Sequence, residues 1–177
     1  MAVMLAMSRR IVESDRRLRV ERGFPREDLM GSDIAGKVLG LVGIGRAGTR
    51  VAALANAFGM RVIACDPYLT AQEIETRGAK ARSFEALLAE ADFVSLHCPR
   101  NSETTGMMDG EAFSRMRGGA FFITTARGGI HDEQALAEAL SRRRGGGCVG
   151  PGAATTGPSP AEVGQRDRDL AHGRRDA

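Results

Sequence analysis

The sequence predicts an α/β fold built on a doubly wound parallel sheet, incomplete at its carboxyl-terminal edge and followed by a disordered tail. Three observations lead there. Apolar runs at 38–42, 61–65, 93–96 and 120–124 are nearly continuous, as in strands covered on both faces. Stretches of helical spacing separate them, and strands that alternate with helices form parallel sheets through right-handed crossovers. The 177 residues are 42% hydrophobic and 27% charged, the balance of an ordinary globular chain.

Each element follows in order. Residues 2–22 set Val3, Met4, Met7, Ile11, Leu18 and Val20 among arginines, an amphipathic helix ended by Gly23 and Pro25. A loop leads to Gly36-Lys37 and the strand 38–42. Gly43-Ile44-Gly45-Arg46-Ala47-Gly48 comes next, then a helix over 50–58 stopped by Gly59. Residues 61–65 make the second strand, ended by Asp66-Pro67. Helices are expected at 71–77 and 83–90, a strand at 93–96, a helix at 109–116, a strand at 120–124 and a helix at 132–140. This is a Rossmann-type layout. The chain divides into an interdomain or dimerisation helix and loop (1–30), a nucleotide-binding domain (31–141) and a tail (142–177).

The tail stands apart by composition. It holds eight Gly, three Pro, one Leu and neither Ile nor any aromatic residue. Such a segment buries too little apolar surface to offset its chain entropy, so disorder is expected. It also carries the whole charge excess. Residues 1–141 have 18 basic and 18 acidic side chains, whereas 142–177 have seven Arg against four acids, which gives the net +3. The isoelectric point near 9.1 thus reflects the tail. With no Lys and no aromatic residue to stack on bases, the tail does not imply a nucleic-acid partner. No apolar run approaches the ~20 residues that cross a bilayer, so no membrane partner is expected. Three scattered cysteines, Cys65, Cys98 and Cys148, form no C-x-x-C pair. They imply a reducing, cytoplasmic setting and no metal site.

The chemistry lies at the carboxyl ends of the strands. A G-x-G-x-x-G between a buried strand and a helix is the context in which glycines cradle a dinucleotide. Gly43 allows the tight turn, Gly45 close approach of a pyrophosphate, and Gly48 close helix–strand packing. The amides of Arg46 and Ala47 then face phosphates at a positive helix end. Asp66, 18 residues after Gly48, suits the adenosine ribose hydroxyls and repels a 2′-phosphate, which favours NAD over NADP. His97 closes the strand 93–96 and reads as structural rather than catalytic. Cys98 reads as a packing residue, since nothing near it in sequence would activate it. Arg127, after the strand 120–124, is either a surface arginine or a bidentate grip on a carboxylate.

The motifs Val42-Gly43-Ile44-Gly45-Arg46-Ala47-Gly48, Cys65-Asp66-Pro67-Tyr68, Phe93-Val94-Ser95-Leu96-His97-Cys98-Pro99, Glu103-Thr104-Thr105-Gly106 and Thr125-Ala126-Arg127-Gly128-Gly129 together closely resemble the D-isomer-specific 2-hydroxyacid dehydrogenases. The resemblance runs from about residue 2 to residue 141. It implies an NAD-dependent enzyme that exchanges hydride at C2 of a small 2-hydroxy or 2-keto acid. Arg127 would be the substrate-carboxylate arginine, with Thr125 and Ala126 lining the nicotinamide side. Cys98, Pro99 and Thr104 would line the adenine side, and Pro67, next to Asp66, would also contact the cofactor. Residues 2–22 would either contribute to a homodimer joined through the cofactor domain or pack on the family's substrate domain.

Two departures from the family pattern stand out. The chain begins at the interdomain helix, so the first part of the family's substrate domain is expected to be absent. The catalytic Glu before a proline pair and the catalytic His find no match, since His131 and His172 sit in other contexts. A frameshift near 141–143 would account for the second departure. Read one nucleotide along, the codons of 147–154 can encode Asp-Val-Trp-Asp-Gln-Glu-Pro-Pro, which places the missing Glu over Gly152. The codons of 171–172 can encode His-Thr, which places the missing His over Ala171. As written, the chain is expected to be weakly active or inactive; the alternative is a non-enzymatic NAD-binding remnant or partner subunit.

Overall fold

A computed structural model describes residues 1–23, 25–144 and 154–155. Helices α1 (Ala2–Ser8) and α2 (Ile11–Val20) and a 3-10 turn (Arg26–Leu29) precede the sheet. There follow β1 (Val38–Val42), α3 (Arg46–Ala57), β2 (Arg61–Cys65), α4 (Ala71–Thr76), β3 (Lys80–Ala81), α5 (Phe84–Glu90), β4 (Phe93–Leu96), α6 (Gly110–Arg115), β5 (Phe121–Thr124), α7 (Glu133–Arg144) and β6 (Ala154–Thr155). All strand pairs are parallel and the order is β3-β2-β1-β4-β5-β6. The chain winds outward from β1 in one direction and from β4 in the other, so a crevice opens between their carboxyl ends.

Strand periodicity assigns the two faces. In β1, Val38 and Val42 point to one core, with Leu87, Leu88, Phe113 and Phe122, while Leu39 and Leu41 point to the other, with Ala52, Ala55 and Ile74. Helices α5, α6 and α7 cover the first face and α3, α4 and α1 the second. The side chains of both faces are almost wholly out of water, each contributing roughly 1.5–3 kcal/mol for a large aliphatic residue.

Four of the crossover helices open on side-chain caps. Thr70 forms a capping box with Glu73, and Ser83 and Asp109 accept from Ala86 and Ala112. Asp132 likewise accepts from Gln134 and Ala135 at the start of α7. Helix α3 differs. Its N-cap is Gly45, which offers no side chain, so the amides of its first turn lack a cap.

The expected single helix over 2–22 is broken. Arg10 adopts φ 52°, and the Ser8 carbonyl receives the Ser32 amide at 2.8 Å. The segment after the 3-10 turn crosses this end of α1 so closely that a Cβ at Gly31 would lie 2.3 Å from the Ser8 oxygen. The Arg10 guanidinium holds the bend by donating to Glu13 and to the Asp28 carbonyl. The apolar stripe therefore splits: Met4 is buried in the second core, whereas Ile11, Val12, Leu18 and Val20 on α2 are exposed.

Smaller differences are local. Helix α3 begins at Arg46 rather than 50, and the short strand β3 was not signalled by its sequence. Disorder was expected over 142–177, but helix α7 continues to Arg144 and Ala154–Thr155 pair with Ile123 and Thr124. The free edge of β5 offers backbone groups that pair whatever the side chains are. The rest of that tail, with Cys148 and His172, lies outside the described residues. Among the described residues, no helix is long and apolar enough to cross a membrane and no cluster of metal-ligating side chains occurs.

Candidate functional site

The glycine turn sits where β1 ends. Gly43 has φ 89°, and a Cβ there would fall 2.9 Å from the Cys98 nitrogen and 3.0 Å from the His97 carbonyl carbon. The loops after β1 and β4 thus touch through backbone alone, and only glycine fits on both counts. Gly48 is tight as well, its added Cβ lying 2.5 Å from the Gly43 oxygen. At Gly45 an added Cβ meets nothing, so the space before the uncapped end of α3 is open. Arg46 and Ala47 are exposed beside it. Free amides at a positive helix end, facing an open crevice, suit the pyrophosphate of a dinucleotide.

The peptide of Ile44 is held on both sides. Its N–H donates to Asp66 Oδ2 at 3.0 Å, and its carbonyl accepts from Arg77 Nη1 at 2.8 Å and Thr49 Oγ1 at 3.2 Å. The other Asp66 oxygen accepts from the Tyr68 amide at 3.2 Å. Asp66 is half-buried, with exposed Pro67 next to it, at the carboxyl end of β2. Such a carboxylate keeps lone pairs to accept from ribose hydroxyls.

The loop after β4 forms the opposite wall. Thr104 Oγ1 donates to the Pro99 carbonyl at 2.7 Å and accepts from the Asn101 amide at 2.9 Å. Asn101 Oδ1 accepts in turn from the amides of Glu103 and Thr104. Cys98, Pro99 and Thr104 are therefore parts of one knotted loop.

The site residues after β5 lie one strand farther along. Thr125 and Arg127 are exposed and Ala126 is half-buried, its amide 3.4 Å from Thr124 Oγ1. The sheet therefore gathers the sequence-derived residues in two groups. Gly43, Gly45, Arg46, Ala47, Gly48, Asp66, Pro67, Cys98, Pro99 and Thr104 surround the carboxyl ends of β1, β2 and β4. Thr125, Ala126 and Arg127 follow β5.

Two histidines and two thiols complete the picture. His97 Nε2 and Ser95 Oγ share a hydrogen bond at 3.0 Å, and burial, then the amino terminus, holds this imidazole below its ordinary range. His131 is buried edge-on to Phe122, with neither ring nitrogen bonded. The Cys65 and Cys98 thiols are pushed up, mainly by burial and further by Asp66, so both stay protonated and poorly nucleophilic at neutral pH. Arg77 and Thr49, which hold the Ile44 carbonyl, are positions that sequence reasoning missed. Their bonds run back to Ile44 from helices, and no local pattern announces them.

The family model described as "D-isomer specific 2-hydroxyacid dehydrogenase, NAD binding domain" matches residues 1–150. The D-3-phosphoglycerate dehydrogenase of Mycobacterium leprae is 44% identical over 140 residues, 79% of this chain and 26% of that protein. The chain thus spans about a quarter of the length of the curated relatives it matches. Among solved structures, the D-lactate dehydrogenase of Aquifex aeolicus, complexed with NAD and lactic acid, superimposes with a TM-score of 0.80. It is 28% identical and covers 99% of this chain and 51% of that one. The Salmonella D-lactate dehydrogenase gives 0.74 at 34% identity, over 81% of this chain and 43% of that one.

Proposed function

The chain belongs to the D-isomer-specific 2-hydroxyacid dehydrogenase family, of which it carries the NAD-binding domain, and from that premise we propose that it serves the cofactor half of a hydride exchange at C2 of a 2-hydroxy or 2-keto acid. The uncapped start of α3, open before Gly45 and tied through Ile44 to Asp66, carries this reading. NAD, when bound, supplies the nicotinamide carbon that takes or gives the hydride.

The chain's own residues bind and orient. The amides of Arg46 and Ala47 hold the pyrophosphate, and Asp66, beside Pro67, takes the adenosine ribose. Cys98, Pro99 and Thr104 line the adenine side. Thr125 and Ala126 border the nicotinamide side, and exposed Arg127 grips the substrate carboxylate with its planar fork. Neither described histidine suits proton transfer at the substrate. His97 is bonded to Ser95, and His131 is enclosed in the core.

We assign the general acid–base step to residues outside 1–141 and the sequence of 142–177 to a shifted reading frame. The codons that 142–177 allow support this, since one nucleotide along they can spell Glu over Gly152 and His over Ala171. Resequencing the locus tests it: a frame that cannot spell that segment removes the idea. Exposed Ile11, Val12, Leu18 and Val20 on α2 support a homodimer, and the free thiols Cys65 and Cys98 support a cytoplasmic setting.

The decisive measurement is thermal unfolding of the 177-residue chain with and without NAD. A ligand at 100 times its Kd stabilises the folded state by about 2.7 kcal/mol, which shifts the transition by several degrees. No shift at saturating NAD overturns the reading. If NAD shifts the transition and 2-keto acids still fail to oxidise NADH, the chain is a binding remnant rather than an enzyme.

A further inference from the structure

Two side chains to which the cofactor reading gives no role meet across the crevice. Tyr68, two residues past Asp66 on the loop after β2, donates its phenolic hydroxyl to Oε2 of Glu103 on the loop after β4. Strands β2 and β4 flank β1 on opposite sides. A bond between their loops therefore passes over the carboxyl end of β1, where the glycine turn lies.

Both ends of this bridge are anchored to residues that frame the crevice. The Tyr68 amide donates to Asp66, and the Glu103 amide donates to Asn101 Oδ1 at 3.0 Å. Asn101 belongs to the same knot as Pro99 and Thr104. Tyr68 itself is 69% exposed, so its ring adds nothing to either core. An aromatic side chain on a loop, outside the core yet tied at both ends, has no evident packing role.

We propose that the Tyr68–Glu103 bond is a removable strap over the adenosine end of the dinucleotide crevice, which opens to admit the cofactor, recloses over it and sets its rates of entry and exit. The proposal rests on the NAD-binding reading above. Opening exchanges one exposed hydrogen bond for bonds to water, a change small enough to be frequent and large enough to slow passage. The phenol is held above its ordinary range, chiefly by the bond to Glu103 and then by that carboxylate's charge. The donor proton is thus retained at neutral and mildly alkaline pH.

Stopped-flow binding of NADH to the full chain tests the strap. In Tyr68→Phe the on-rate and off-rate should both rise roughly two- to tenfold, the net worth of one exposed hydrogen bond, with little change in affinity. ADP-ribose, which lacks the nicotinamide, should show the same acceleration. Glu103→Gln keeps an acceptor and should stay near the unaltered chain, whereas Glu103→Ala should reproduce Tyr68→Phe. The double variant should be no faster than either single one. Amides at 66–70 and 101–106 should also exchange faster with deuterium in Tyr68→Phe, at an unchanged unfolding temperature. Unaltered rates in Tyr68→Phe, with NADH still bound, overturn the strap alone. Failure of the unaltered chain to bind NADH overturns the NAD reading, and the role of the strap falls with it.

Discussion

The backbone N–H of Ile44 donates to Oδ2 of Asp66 across 3.0 Å, which ties the turn after β1 to the carboxylate that ends β2. Arg77 and Thr49 hold the carbonyl of the same residue, and its side chain is fully buried. The glycine turn is therefore ordered by folding, so little conformational freedom remains for a ligand to remove from it.

Replacing Asp66 should separate its two tasks. Asp66→Ala loses both the ribose acceptor and the anchor of Ile44, and NAD affinity should fall about ten- to a hundredfold. Asp66→Asn keeps an oxygen for the Ile44 amide but removes the charge that repels a 2′-phosphate, so the preference for NAD over NADP should narrow. Calorimetric titration of both variants with both cofactors checks this. An unchanged preference in Asp66→Asn would place cofactor choice elsewhere.

Arg77 lies at the end of α4 and reaches the turn only through the Ile44 carbonyl. Arg77→Ala should weaken NAD binding about threefold to tenfold, since one charge-assisted bond is lost to a loop still held by Asp66. The unfolding temperature should barely move. A large thermal loss instead would make Arg77 a stability residue.

The two first glycines of the motif should fail in different ways. At Gly43 a side chain meets positive φ and a backbone nitrogen 2.9 Å away, so Gly43→Ala should cost about 2–4 kcal/mol in urea unfolding. Gly45 has φ −69° and open space, so Gly45→Val should change stability by about 0.5 kcal/mol at most. It should nonetheless abolish NAD binding, because its side chain fills the approach of the pyrophosphate.

The contrast shows what was legible in the sequence. The four strands, their order of winding and the glycine turn follow from runs such as Val38-Leu39-Gly40-Leu41-Val42, where local pattern and global fold agree. The break at Arg10 was not legible, because it depends on the crossing of Gly31 over Ser8, two positions far apart in the chain. The stripe from Val3 to Val20 has helical spacing throughout, and nothing local says that only its first half meets a core. Arg77 and Tyr68 escaped for the same reason. Each acts through a partner 33 or 35 residues away that only the sheet brings near.

His131 is the least satisfied group in the core. Both ring nitrogens are buried without partners, which costs roughly 1–3 kcal/mol for a polar group taken out of water. His131→Leu, close in volume and apolar, should therefore raise the urea midpoint without altering the slope of the transition. A lower midpoint would show that the imidazole contributes more through packing against Phe122 than it loses in unpaired nitrogens.

His97 should make stability depend on pH below neutrality. Burial, and secondarily the amino terminus, holds its imidazole below the ordinary 6.5. Between its folded pKa and 6.5 the unfolded chain takes up a proton that the folded chain refuses. By linkage, this contribution to stability is complete above about pH 6.5 and declines as the pH falls through that value. Urea midpoints at about pH 7.5, 6.5 and 5.5 should thus descend in the unaltered chain. His97→Gln retains a partner for Ser95 but cannot take up a proton, so its descent should be shallower. Parallel curves for the two proteins would assign the acid sensitivity to another group.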